Sequence, residues 1–481
     1  MSDSRVSRRA FLKGSASAAA LISLPVIGAT TPTVYTRQEW QVFKTTPQFE
    51  SFKTAIRLMK AQTDATKPTS WTYWVNVHVN YCPHMVAYFL AWHRGYLYYF
   101  EQQLRTISGD NTLTLPYWDQ YANPNIPGEF LDAASGNPLY VTGRVNSNIS
   151  SALSLAPFAR NVVNFQRGTS NSFEAAYESA PHNPIHNIIG GWMADMQSPT
   201  DPIFYLHHCN VDRLWDAWAQ QPWTTLPLPS NSYWNGNFTY AKGLTMSRSK
   251  TYRPSLLNYQ YANTSVPTAL PPVAQEGRII RVQAQVRAIH GRPPTGSFAT
   301  TPERTIASDR RSLGGVARLT LTEKSVSAQL QFASSGETAL QDTLKSTPVA
   351  PDLQANSTAS SAATTTTYRS VNVVLDNVAV TGAGQQGGYY YNVYLNLPAQ
   401  GDVDSVSQSH FLGTLGPFEI SAAMHHSGGV VTFPATEVLQ RIGGNTAGAV
   451  VSLVRVDGPN APKGTAITVG ELRFELSTSA P

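Results

Sequence analysis

Seven of the chain's eleven histidines fall in two short windows. The first runs from His78 to His93 (HVNYCPHMVAYFLAWH) and holds His78, His84 and His93. The second holds His182 and His186 in PHNPIHN, then the His207–His208 pair that ends DPIFYLHH. His182 and His186 are four apart, so on a helix both imidazoles share one face. Pro181 suits the first turn of that helix and Gly190-Gly191 its end. His208 belongs to a separate helix that begins near Leu206 and runs through VDRLWDAW. Asp212, one turn on, is placed to orient an imidazole or to pair with Arg213. His84 and His93 are nine apart and would face opposite ways on one straight helix. The spacing therefore predicts that Pro83 opens a helix with His84 at its lip and His93 inside it, while His78 comes from the segment before. Helices converging on an interior pocket are how metal sites are built into bundles.

The donor set narrows the metal. Neutral imidazoles with no carboxylate among them favour copper or zinc over magnesium or calcium. Glu-x-x-His pairs, the mark of a di-iron bundle, are absent from both windows. A single three-histidine site would suit catalytic zinc. Two such sites suggest a pair of copper ions.

The stretches HVNYCPH, FLAWHRGYLYYFE, LPYWD, PHNPIHNIIGG and DPIFYLHHCNVDRLW resemble the type-3 copper proteins: tyrosinases, catechol oxidases and related oxygen carriers. The resemblance covers roughly residues 40–218. It implies that His78, His84 and His93 bind one copper and His182, His186 and His208 the other, with His207 beside them in a supporting or packing role. It also implies a thioether between Cys82 and the His84 ring. The residues alone leave two alternatives open, a free buried thiol or a disulfide with Cys209, the only other cysteine. By the same resemblance Glu178, with Glu174 as the alternative, and Asn183 hold a water that takes the phenol proton. Asn187 would tune substrate access, Gly190-Gly191 would leave room above the metals, and Met193, Asp195 and Met196 would line the entrance. Met85, Ala91 and Gln120 depart from the family pattern, the last standing where relatives often carry Trp. The implied activity is ortho-hydroxylation of monophenols and oxidation of o-diphenols to o-quinones with O2 and small phenols as reactants. A catechol or o-aminophenol oxidase, or an oxygen carrier, is the alternative.

Length and pattern suggest more than one domain. The reading is a twin-arginine export signal over residues 1–29 (SRRAFLK, then an apolar stretch), a mainly α four-helix-bundle dicopper domain over 30–275, and an all-β antiparallel sandwich or barrel over 276–481. The formal charge is +5, and four basic residues against Asp3 place three of those charges in the leader. The near-neutral remainder gives no reason to expect nucleic acid as a partner, and the apolar run is too short for stable membrane insertion. Export of the folded chain to the periplasm or medium leaves room for a separate copper-loading partner. The strands are read in IIRVQAQVRAI, ARLTLTEKSVSAQLQF, SVNVVLDNVAV, YYYNVYLNL, GVVTFPAT, AVVSLVRV and ELRFEL, with a low-complexity run from Ser346 to Thr367. By the resemblance this region covers the pocket, with Tyr389 to Tyr391 or Phe411 as the plug. His290, His410, His425 and His426 read as histidines without a metal.

Overall fold

The structure is a computed structural model that describes residues 33–271, 292–347, 368–398, 408–443 and 447–479. The leader, the boundary at 275, the strand expected at 279–289, His290 and nearly all of the low-complexity run lie outside these residues. Residues 34–481 form one compact unit.

The five longest α-helices of the first half are α1 (Gln48–Ala61), α2 (Trp71–Tyr81), α3 (Phe89–Ser108), α4 (Asn183–Ile189) and α5 (Ile203–Ala219). Their shared core is aromatic. Trp40, Trp74, Trp92, Tyr96, Phe100, Phe204 and Tyr205 are all at most 2% exposed, and Phe100 stacks on Tyr205 with centroids 3.7 Å apart. Such rings supply much apolar area per residue, which lets a bundle with polar imidazoles at its centre still close. The segment after α5 wraps back over the bundle. Strands β2 (Asn237–Ala241) and β3 (Leu244–Ser247) form a hairpin on α3, and β4 (Tyr259–Tyr261) pairs in parallel with β1 (Tyr35–Arg37).

The second half is an antiparallel sandwich, as its alternating pattern predicts. One sheet has the order β11-β10-β13-β8, the other β12-β9-β14-β7-β5 with β6 beside β7. The long strands are β7 (Arg310–Leu321), β9 (Ser370–Val380), β10 (Tyr389–Leu395), β13 (Gly448–Asp457) and β14 (Ile467–Ser477). The shorter ones are β5 (Ala299–Thr301), β6 (Arg304–Ala307), β8 (Val326–Gln331), β11 (Phe411–Leu415) and β12 (Val431–Pro434). Three helices here were not foreseen: α6 (Ser334–Ser346), α7 (Pro417–Ser427) and α8 (Thr436–Ile442). Helix α7 joins β11 to β12. Pro417 sits in its first turn and Gly428, at φ +64°, ends it, a start and stop that fit the rules for helix termini. Among the described residues no helix is long and apolar enough to cross a membrane.

Candidate metal centre

Helices α2 to α5 and the loop between α2 and α3 place seven imidazoles in one buried volume. Ligand atoms of His78, Cys82, His84 and His93 lie within 4.8 Å of one another, and so do those of His182, His186, His207 and His208. The two groups adjoin: His93 and His208 stack with centroids 4.2 Å apart.

Local structure corrects one helix start. Pro83 does not open a helix; α3 begins at Phe89, because Met85 (φ +59°) and Tyr88 (φ +77°) adopt left-handed backbone that no α-helix continues through. His84 thus stands in a loop between α2, which carries His78, and α3, which carries His93. At the next helix the reading holds: Ala180 is extended (φ −159°, ψ 121°), and Pro181 opens the helical backbone that continues through His182 into α4. His182 and His186 still point into one centre, with ring centroids 4.6 Å apart.

Hydrogen bonds decide which ring nitrogen is free. His78 Nδ1–H donates to the Met196 carbonyl at 2.8 Å, His93 to Phe89 at 2.8 Å and His186 to Met193 at 2.7 Å. His182 Nδ1–H donates to the Asn183 side-chain carbonyl at 2.8 Å. Each bond fixes the tautomer that leaves an Nε2 lone pair toward the pocket. His78 Nε2 and His186 Nε2 are buried with no hydrogen-bond partner among the described residues. Burial holds His93 and His186 down at about 3. It also holds His78, His84, His182 and His208 well below the usual range, with neighbouring imidazoles adding to the effect. Neutral rings with free, inward Nε2 atoms are what two copper ions require of their ligands.

Met193 and Met196 act here through their carbonyls rather than as an entrance lining. Asp195 Oδ2 accepts from the Ser421 hydroxyl at 2.9 Å. Cys82 and Cys209 are both free, and Cys82 Sγ stands 3.7 Å from His84 Nε2 and 3.4 Å from His93 Nε2. Glu178 accepts from the Met85 N–H at 2.7 Å and pairs with Arg167. It thereby anchors the loop that carries His84. Burial pushes Glu178 up to about 6 against the pull of Arg167, and Glu174 up to about 7. Asp212 neither orients an imidazole nor pairs with Arg213. Its Oδ1 accepts from Arg94 Nε at 2.6 Å, its Oδ2 accepts from the Tyr259 and Tyr261 hydroxyls at 2.5 Å each, and Arg37 lies at 3.5 Å. Arg213 instead bonds Asn210.

The residue that fills the pocket is Phe418, not Tyr389 to Tyr391 or Phe411. Its ring stacks on His186 with centroids 4.1 Å apart and meets His84 and His182 edge-on at 5.2 and 5.8 Å. Tyr390 reaches the Ser151 carbonyl, Tyr391 the Thr322 carbonyl, and Phe411 packs on Tyr394. Asn187 seats the plug. Its Oδ1 accepts from the Phe418 N–H at 2.9 Å, and its Nδ2 donates to Glu419 Oε2 at 2.7 Å. A Cβ on Gly416 would lie 2.5 Å from the Asn187 side chain, so only glycine allows this approach. Gly190 and Gly191 do not leave space over the metals. The Gly191 N–H donates to the Gln386 carbonyl, and a Cβ on Gly190 would meet that carbonyl at 2.4 Å. Of the remaining histidines, His410 Nδ1–H donates to Leu395 and His425 Nε2–H to Val79 carbonyls. Phe418 had no sequence signal beyond the Gly-Pro helix start before it.

Two histidine clusters on converging helices define a binuclear metalloprotein. The common central domain of tyrosinase matches residues 61–156 and 134–221. A tyrosinase of Hahella sp. is 33% identical, over 34% of this chain and 46% of its own. Tyrosinase of Streptomyces glaucescens is 30% identical, over 29% and 64%, and catechol oxidase B of Solanum tuberosum 27%, over 38% and 40%. The chain spans about half the length of the curated relatives it matches. A structure of latent apple tyrosinase shares the fold at TM-score 0.52 and 18% identity, covering 92% of this chain and 97% of that one. Residues 61–221 are thus similar to the common central domain of tyrosinase, and the relatives matched there are tyrosinases and a catechol oxidase.

Proposed function

We propose that this protein is a copper-dependent phenol oxidase that hydroxylates monophenols and oxidises o-diphenols to o-quinones, held latent by its own C-terminal half. The observation that carries the reading is the set of four imidazoles whose Nδ1–H bonds leave an Nε2 lone pair inside one buried pocket. His78, His84 and His93 would hold one copper and His182, His186 and His208 the other; bound there, the pair supplies the two electrons that O2 needs. The chain itself does the rest. Phe89 and Phe204 pack against the histidine rings and exclude water. The stacking site now filled by Phe418 has the shape of a flat aromatic ring, which is what a phenol presents. Asn183 fixes His182 and, with Glu178, is assigned the water that takes the phenol proton. Glu178→Gln is expected to lower monophenol turnover relative to diphenol turnover.

The test supplies copper-loaded Phe418→Ala protein with tyrosine alone, then with catechol alone. Quinone colour from both supports the reading. Colour from catechol only makes it a catechol oxidase, and reversible oxygen binding with no turnover makes it a carrier. Two further outcomes follow from the site. His208→Ala should halve the copper held per chain, measured by metal analysis. The proposed thioether would make the peptide bearing Cys82 and His84 lighter by two hydrogens in a mass spectrum, and the unchanged mass would exclude it. The Arg8-Arg9 leader motif supports export by the twin-arginine route.

A further inference from the structure

His207 differs from its neighbours in which nitrogen is held. Four imidazoles of the two centres donate Nδ1–H to a carbonyl oxygen. His207 Nδ1 instead lies 2.8 Å from Gln120 Nε2. The direction of that bond is fixed from a distance. Arg213 can only donate, and its Nε–H reaches Asn210 Oδ1 at 2.9 Å. The other end of that amide, Asn210 Nδ2, must then be a donor, and it reaches Gln120 Oε1 at 3.0 Å. Gln120 Nε2 is therefore a donor too, and His207 Nδ1 must accept. A neutral imidazole that accepts at Nδ1 carries its proton on Nε2. His207 Nε2 is buried and has no hydrogen-bond partner among the described residues. Turning either amide over would set two donors face to face.

We propose that Gln120 locks His207 as an Nε2–H donor and so keeps it out of the ligand set of the second centre. A ligand atom of His207 lies within 4.8 Å of those of His182, His186 and His208, so a free lone pair there would offer a fourth donor. The ring also stacks on His182 with centroids 5.2 Å apart and is 0% exposed, so it cannot swing away. With the proton on Nε2 the centre keeps three imidazoles and an open position, which is what a reacting metal site requires. Gln120 is a positioning residue: it acts on the metal through the tautomer of His207. The inference rests on copper occupying the second centre, but its first measurement does not use metal.

The experiment records long-range proton–nitrogen spectra of the metal-free full chain labelled with 15N-histidine, with His207 assigned from the spectrum of His207→Phe. The expected result is Nε2–H for His207 and Nδ1–H for His78, His93, His182 and His186. Nδ1–H at His207 would overturn the proposal. Gln120→Glu replaces the donor with an acceptor of the same shape. It should switch His207 to Nδ1–H and slow the loss of copper to a chelator about tenfold or more, the scale on which residues behind a ligand tune metal affinity. A switched tautomer with unchanged copper release overturns it as well. If Gln120→Glu does not fold, the wild-type spectrum still decides. A chain that binds no copper refutes the reading of the centre and not the tautomer.

Discussion

Replacing Phe418 with alanine is expected to raise the turnover of small phenols by the full chain about 10- to 100-fold, since burying such a ring is worth about 1.5–3 kcal/mol and each 1.4 kcal/mol is a factor of ten. Phe418 is 1% exposed and leans on three histidines of the two centres. Any phenol that enters must displace it. The substitution leaves the backbone bonds of the cover in place, because Phe418 N–H still donates to Asn187 Oδ1 and Glu419 still accepts from Asn187 Nδ2. What changes is the space over the metals, which becomes the size of an aromatic ring. The gain should therefore be largest for phenols no bigger than that ring and should fall off for bulky ones. Copper content should not change, since Phe418 supplies no ligand atom. Steady-state rates with a series of phenols check this, and an unchanged rate for the smallest phenol would remove Phe418 as the block.

Replacing Asp212 with alanine is expected to destabilise the protein by about 3–5 kcal/mol, the cost of leaving a buried charge without its partner. Arg37, Arg94 and Asp212 are at most 2% exposed. Asp212 holds Arg94 at 2.6 Å and accepts from Tyr259 and Tyr261 at once. Arg37 retains Glu101 at 2.8 Å, whereas among the described residues Arg94 is left with the Thr251 and Tyr252 carbonyls and the face of Trp215, none of them charged. The position of this pair couples stability to the site. Arg94 follows His93 on α3, and Asp212 lies one turn beyond His208 on α5, so the ion pair fixes the two helices that bring those stacked rings together. Asp212→Ala should lower the midpoint of denaturant unfolding and speed copper loss from both centres. Asp212→Asn keeps the shape and one acceptor and should cost less. An alanine variant as stable as the parent would show that the pair is not the tie between the helices.

The two histidine groups were legible because side chains that converge from helices leave a local trace. A four-residue step puts His182 and His186 on one face whatever the rest of the chain does, and seven histidines in two windows are too concentrated to be chance packing. The strands of the second half were legible for a similar reason, since alternation is a local record of which face is buried. Helix starts were read less well. Pro181 does open the helical run that follows extended Ala180, but left-handed backbone at Met85 and Tyr88 moves the start expected at Pro83 on to Phe89. Helix α7 was missed although its Pro417 and Gly428 follow the rules for helix ends, because the strands around it dominated the pattern.

What the sequence by itself determined is the chemistry: two groups of neutral nitrogen donors on a helical scaffold, followed by a β-rich half. Only the tertiary structure decided how that chemistry is controlled. Phe418 meets His186 across 232 residues, Asn187 meets Glu419 across the same interval, and Asp212 finds Arg94 rather than the arginine beside it. The tautomer of His207 depends on an arginine it does not touch. Such contacts are set by how finished elements pack, and packing between distant segments leaves no period in the chain from which it can be read.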